Sequence, residues 1–191
     1  MTFFDRVVVI NLDRRADRMA KLIPQLESLG ITYERHSALD GKEVGISPIK
    51  AGNLSHQEVL KSIKPGEMVL ILEDDAEFDA EFATKFEQYI AELPKNWDIF
   101  YLGALKNETR PVNKYWVKQV VSTGTQAYCV HPDKVEFFLQ AARDFEEWID
   151  VAYRLVADKC NAYIADPNLV IQFPSFSDLR EEEVSDFKGF Q

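Results

Sequence analysis

Cysteine is scarce in this 191-residue chain, where Cys129 and Cys160 are the only two. That is too few for a disulfide framework, and both read as reduced residues buried in an intracellular protein. Basic residues are in deficit, 22 against 32 acidic ones, for a formal net charge of -10. A broad nucleic-acid surface is excluded, because counterion release needs a basic face, so any anion must be bound locally. The first residues, Met-Thr-Phe-Phe-Asp-Arg, set acid and base before a short apolar run. Neither a signal peptide nor a membrane span is expected, and the protein reads as soluble and cytoplasmic. No internal repeat and no P-loop glycine pattern occur. With 46% hydrophobic residues, a chain of this length can bury roughly 70% of its unfolded surface in one core, which favours a single domain.

What the chain does contain is an apolar run, Met68 to Leu72, that ends in Glu73, Asp74 and Asp75. Bounded by Pro65-Gly66 and by acids, the run suits a strand buried on both faces of a sheet. In open α/β sheets the ligand crevice lies outside the carboxyl ends of the strands, which puts the acids in the expected binding site. Adjacent like charges repel unless a cation offsets them, and hard oxygen ligands at this density fit Mg²⁺ or Mn²⁺ carrying a phosphate better than zinc or copper. Alternation sends Glu73 and Asp75 to one face and Asp74 to the other, so at most two should meet one ion. The plain alternative is that Asp74 or Asp75 only caps the following helix.

The rest of the first half alternates strand and helix. Val7 to Leu12 reads as a strand running into Asp13, an N-cap, before Met19, Leu22, Ile23, Leu26 and Leu29 recur at helical spacing up to Gly30. Pro24 predicts a kink or a break in that helix. Ile31 to Arg35 alternates like a strand, and a loop follows around Asp40-Gly41. Ser55 and Glu58 form a capping-box pattern opening a helix that Pro65-Gly66 ends. Asp79 caps a helix striped by Phe82, Phe86, Tyr89, Ile90 and Leu93, and Asp98 to Leu102 is a fourth strand. This order predicts parallel strands with right-handed crossovers, an α/β sandwich. In the second half, Trp116 to Val121 and Ala127 to Val130 read as shorter strands of mixed pairing around a turn-like Ser122-Thr123-Gly124-Thr125. Helices are expected from Pro132 to Ala142 and from Trp148 to Ala157, then strands at Asn161 to Ile164 and Leu169 to Phe173. Residues 1–174 form the expected domain, and 175–191 an acidic surface arm.

Arg14, Arg15 and Arg18 crowd the first turn of the first helix, where the macrodipole disfavours cations. Helix-start amides with arginines make a phosphate site, although pairing with Asp13 and Asp17 on the surface explains them equally well. His56 alone is more often a hydrogen-bonded residue than a catalyst, and His36 and His131 carry less signal still. Trp148 and Tyr153 are most simply core. Asp150, between them, is an acid in an apolar stretch and must be solvated or have a task.

Taken in order, Val9-Ile10-Asn11-Leu12-Asp13-Arg14-Arg15-Ala16-Asp17-Arg18, Ala38-Leu39-Asp40-Gly41, Leu54-Ser55-His56, Leu72-Glu73-Asp74-Asp75, Trp97 to Gly103 and Gly124-Thr125-Gln126-Ala127-Tyr128 resemble glycosyltransferase family 25. That family holds bacterial lipooligosaccharide and collagen-type galactosyltransferases, and the resemblance runs from about Val7 to Asp178. It implies a GT-A-type fold with a mostly parallel central sheet and a smaller mixed acceptor-side half. The implied activity is transfer of a hexose, galactose or glucose, from a UDP-sugar to a saccharide or glycoconjugate hydroxyl, by direct inverting displacement with Mn²⁺ or Mg²⁺. Glu73-Asp74-Asp75 becomes the DxD-type motif, with Asp75 the metal contact and Asp74 and Glu73 toward the ribose or metal-bound water. Asn11, Arg14, Arg18, Ala38, Asp40, Ser55, His56, Gly124 and Thr125 fall at positions lining the nucleotide-sugar. Asp150 matches the base that takes the acceptor proton. A lipid-linked acceptor, as in lipopolysaccharide biosynthesis, would draw the protein peripherally to a membrane. Ala51-Gly52 departs from the family's Gly-Cys, and no histidine follows His131 to serve as a late metal ligand. A non-catalytic relative that binds nucleotide-sugar or glycan is the alternative, and a metal-dependent phosphatase is disfavoured by the position of the acids.

Overall fold

The structure, a computed structural model, describes residues 2–145 and 148–178 in full and residues 182–184 through their backbone. In chain order its elements are β1 (Arg6–Asn11), α1 (Ala16–Ser28), β2 (Glu34–Ser37), α2 (Gly41–Val44), α3 (Pro48–Ser62), β3 (Val69–Glu73), β4 (Ala76–Phe78), α4 (Phe82–Ala91), β5 (Ile99–Pro111), β6 (Trp116–Val130), α5 (Val135–Asp144), α6 (Ile149–Arg154), β7 (Ala162–Ala165), β8 (Val170–Gln172), β9 (Ser175–Ser177) and β10 (Glu182–Val184).

The main sheet has the order β2-β1-β3-β6-β5-β7. β1 runs parallel to β2 and β3, and β5 parallel to β7, while β6 opposes both β3 and β5. Five strands therefore share one direction, and the mostly parallel sheet is borne out. Alternation along the strands feeds two cores. Val7, Val9, Leu70 and Leu72 pack on the side of α1 and α4, while Val8, Ile10, Val69 and Ile71 pack against residues of α3, α5 and α6. Leu70, Ile71 and Leu72 are wholly buried, which explains the unbroken apolar run, and each such side chain contributes about 1.5–3 kcal/mol.

Several expectations shift. The strand expected at Asp98 to Leu102 is parallel to β3 but not its neighbour, because β6 lies between them. The pattern at Ile31 to Arg35 marks the approach to β2: Ile31 and Tyr33 pack into the core before pairing begins at Glu34. α1 runs unbroken through Pro24, which sits on its exposed face. Its stop holds, since Gly30 takes φ 64° and Ile31 N–H bonds Leu26 O at 2.9 Å. Asp13 does not cap α1; it accepts from Arg35 and Ser37 instead. Ser55 is no helix start either. α3 begins eight residues earlier, with Ser47 accepting from Lys50 N–H at 3.2 Å and Pro48 in its first turn.

The Ser122 to Thr125 segment is not a turn between two strands but part of continuous β6. Between the pairs Gly103↔Ala127 and Leu105↔Thr123, four steps on β6 answer two on β5, so the turn-like residues form a bulge with Gly124 at φ 97°. Gly103 has a different task. A Cβ there would lie 1.6 Å from Val170 O, so only glycine lets the 169–172 segment cross β5. Most of the expected acidic arm at 175–191 lies outside the described residues; β9 pairs antiparallel with β10, and Asp178 is buried. Among the described residues no helix is long and apolar enough to cross a membrane.

Candidate active site

A cavity of about 190 Å³ opens where β1 and β3 end, between α1, α3, the β6 bulge and α6. Arg14, Arg18, Ala38, Asp40, Ser55, His56, Glu73, Asp74, Asp75, Gly124, Thr125 and Asp150 all line it, which gathers twelve of the thirteen residues expected from the sequence. Asn11 is the exception, and lies beneath. Its amide donates to Asp74 Oδ2 at 2.7 Å and to Arg15 O at 3.1 Å, while its Oδ1 accepts from Arg35 Nε at 2.8 Å. It braces the wall of the site.

The α1 wall is built from ion pairs. Arg18, buried, reaches Asp74 at 2.6 Å and Asp75 at 3.1 Å. Burial works against its charge, but the two carboxylates outweigh it and raise its pKa. Arg14 Nε donates to Asp40 Oδ2 at 2.5 Å, and this bond raises the arginine and lowers the acid. Asp40 also accepts from Lys42 N–H at 2.9 Å, so one residue caps α2 and holds Arg14. Ser55, in mid-helix, donates to Ala51 O at 2.8 Å and accepts from Leu39 N–H at 2.9 Å, pinning the 38–40 loop to α3.

β3 ends at Glu73, and Asp74 and Asp75 follow in a tight turn where both reach Arg18 but their other partners differ. Asp74 turns to Asn11 and Arg18, whereas Glu73 and Asp75 both accept from the Gln172 amide, at 3.3 and 3.4 Å. Burial, then the charge of Glu73, pushes Asp75 up to about 7. Glu73 moves the other way: burial raises it, but His56, Thr125 and Arg18 more than offset this. His56 lies 3.5 Å from Glu73 through Nε2, and its Nδ1 is 2.9 Å from the buried Tyr128 hydroxyl. Two carboxylates on one face, one of them poorly compensated, fit Mg²⁺ or Mn²⁺ that takes its remaining ligands from water and phosphate. Among the described residues no three His, Cys, Asp or Glu side chains form a metal cage of their own.

The opposite wall is made by the bulge and α6. Thr125 Oγ1 donates to Glu73 Oε1 at 2.6 Å, and Gly124 N–H donates to Asp150 Oδ2 at 2.8 Å. Asp150 Oδ1 accepts from Val151 N–H at 2.8 Å. Burial raises its pKa above the usual carboxylate value, and the backbone amides hold it back only in part. Tyr153 is core as expected, but Trp148 is not: it is half-buried and lines the cavity.

Three contributors escape sequence reasoning. Gln172 stands at the end of a short apolar strand, Asp178 in an acidic tail, and Arg35 on an exposed strand. None belongs to a local pattern, and only tertiary pairing reveals them.

Curated relatives carry matching names. Procollagen galactosyltransferase 2 of Mus musculus is 26% identical over 140 residues, covering 58% of this chain and 22% of that protein. "Probable inactive glycosyltransferase 25 family member 3" of Bos taurus is 26% identical over 129 residues, covering 52% and 22%. The chain is similar to glycosyltransferase 25 proteins. It spans about a fifth of the length of these relatives. No family model matches the sequence. Among solved structures, a glycosyltransferase involved in the glycosylation of the major capsid of PBCV-1 superposes with a TM-score of 0.53 at 13% identity, covering 85% of this chain and 81% of that one. The glycosyltransferase 25 resemblance and the GT-A-type single-domain fold are both borne out.

Proposed function

We propose that this chain is a metal-dependent glycosyltransferase that moves a hexose, galactose or glucose, from a UDP-sugar to a hydroxyl of a saccharide or glycoconjugate. The observation that carries this reading is one cavity holding the α1 arginines, the paired Glu73 and Asp75, and Asp150 on the far wall, in a chain similar to named galactosyltransferases. Asp75 with Glu73 would hold Mn²⁺ or Mg²⁺, which when bound offsets charge on the leaving diphosphate. Arg14 and Arg18 bind and orient the donor phosphates, with Asp40 fixing Arg14 and Asn11 bracing Asp74, the partner of Arg18. Ala38, Ser55 and His56 shape the nucleotide side, and Gly124 and Thr125 border the sugar. Asp150 accepts the acceptor hydroxyl's proton while the acceptor oxygen bonds the anomeric carbon and the bond from that carbon to the β-phosphate oxygen breaks, an inverting displacement. A raised pKa suits this task, because a base works best near the ambient pH. The two free, buried cysteines fit a cytoplasmic setting, with a lipid-linked acceptor bringing the protein to a membrane surface.

A thermal melt with UDP and Mn²⁺ tests the binding half. The wild type should melt higher, and Asp75→Ala should lose the shift; an unchanged wild-type melt refutes it. A second reading, binding without transfer, is favoured by the relative named as inactive and by the amides that occupy both Asp150 oxygens. Hydrolysis of UDP-galactose or UDP-glucose decides between them. Turnover that falls about 10²–10⁴-fold in Asp150→Asn supports transfer, and UDP binding without any turnover supports the second reading.

A further inference from the structure

Residues 175–178 lie across the entrance of α1 and engage all three of its arginines. Arg18 Nη2 donates to Ser175 Oγ at 2.9 Å and to Phe176 O at 2.8 Å, and Arg15 Nη1 donates to Phe176 O at 3.0 Å. The Asp178 carboxylate then seats between the other two donors, one oxygen on Arg14 Nη1 at 2.5 Å and the other on Arg15 Nη1. Asp178 is only 9% exposed, a depth at which a carboxylate needs pairing. Two contacts hold the strap in place: Phe173 N–H bonds Asp75 O at 2.9 Å, and β9 pairs with β10.

We infer that Asp178 is a built-in anion occupying the arginine site, a self-inhibitory strap that a nucleoside diphosphate must displace to bind. The inference rests on the donor site proposed above. Arg14, Arg15 and Arg18 already face Asp17, Asp40, Asp74, Asp75 and Asp178, five carboxylates against three guanidinium groups. An incoming diphosphate would deepen that excess unless one carboxylate leaves. Asp178 is the one carried on a peripheral strap, whereas Asp74 and Asp75 sit in the tight turn between β3 and β4, Asp40 caps α2 and Asp17 belongs to the first turn of α1. Two guanidinium forks bridged by a single carboxylate are also the arrangement that recognises a phosphate in a bidentate way. Access is open from the Arg14 side, where the side chain is 41% exposed. Apparent affinity falls by the fraction of time the site is free, so a strap seated about nine-tenths of the time weakens binding roughly tenfold.

Calorimetric titration of the full chain with inorganic pyrophosphate tests this. Asp178→Asn should bind about tenfold tighter than wild type, Asp178→Glu should match wild type, and Arg14→Gln added to Asp178→Asn should abolish the gain. Equal or weaker binding by Asp178→Asn overturns the inference, as does failure of every variant to bind. Loss of a cooperative melt in both the Asn and Glu variants overturns it too, since Asp178 would then be a structural residue. UDP-sugar turnover, measured separately, distinguishes the two readings. A gain in pyrophosphate affinity without turnover sinks the transferase and leaves the strap, and turnover without the gain does the reverse.

Discussion

Along the α1 wall of the cavity each carboxylate meets an arginine: Asp40 on Arg14, Asp178 between Arg14 and Arg15, Asp74 and Asp75 on Arg18. On the β6–α6 wall Asp150 is held instead by the Gly124 and Val151 amides, while Glu73 takes the Thr125 hydroxyl and lies 3.5 Å from His56. The first wall balances charge against charge, the setting in which the inferred exchange of Asp178 for a diphosphate would take place. The second fixes Asp150 with neutral backbone donors, which position a carboxylate without neutralising it. In the proposed reaction, recognition of a charged donor falls to the first wall, and proton transfer to Asp150 on the second.

Arg18 offers the most forceful way to break that contrast. Arg18→Met leaves Asp74 and Asp75 buried without their cation, and stability should fall by about 3–5 kcal/mol in a urea titration at neutral pH. A near-neutral result would mean that the α1 wall is not held by charge. The pH response of Asp75 sharpens the same point. Its folded pKa, about 7, lies above the ordinary 3.8, so the stability it contributes is complete below pH 4 and is lost as pH rises through 7. Ligand-free protein should therefore weaken between pH 5 and 8, and Asp75→Asn should flatten that decline by roughly 2–3 kcal/mol at about 1.4 kcal/mol per pKa unit. A parallel decline in both proteins would remove Asp75 as its cause. The smallest effect is expected on the β6–α6 wall. Thr125→Val removes the 2.6 Å bond to Glu73 and should cost about 1–1.5 kcal/mol in the same titration at neutral pH, and because that bond helps hold the Glu73 pKa down, the cost should shrink as acid protonates Glu73.

Much of this is legible in the residues themselves. The apolar run into three acids announces a strand buried on both faces and a site at its end, and alternation groups Glu73 with Asp75, the two that share the Gln172 amide, although Asp75 stands in the turn past the strand. Ser55 and His56 are found through the family motif, but their setting is not. The capping-box spacing points to a helix start, yet Ser47-Pro48 opens α3 earlier and leaves both residues in its buried middle. The glycine and hydroxyl residues of 122–125 mislead for a related reason: a bulge and a turn demand the same local conformations, and only strand pairing separates them. Gln172 and Asp178 are beyond reach, because a polar residue closing a short strand and an acid in an acidic tail look ordinary until the fold places them.

The bulge ties together the two acids of the β6–α6 wall in a way that bears on what the cavity can admit. Gly124 holds Asp150 and its immediate neighbour Thr125 holds Glu73. Consecutive Cα atoms are about 3.8 Å apart whatever the side chains do. The gap between the Glu73 and Asp150 carboxylates is thus gauged by a single peptide unit. Substitutions elsewhere in the lining can alter the shape of the cavity, but widening the span itself would require inserting or deleting a residue in β6.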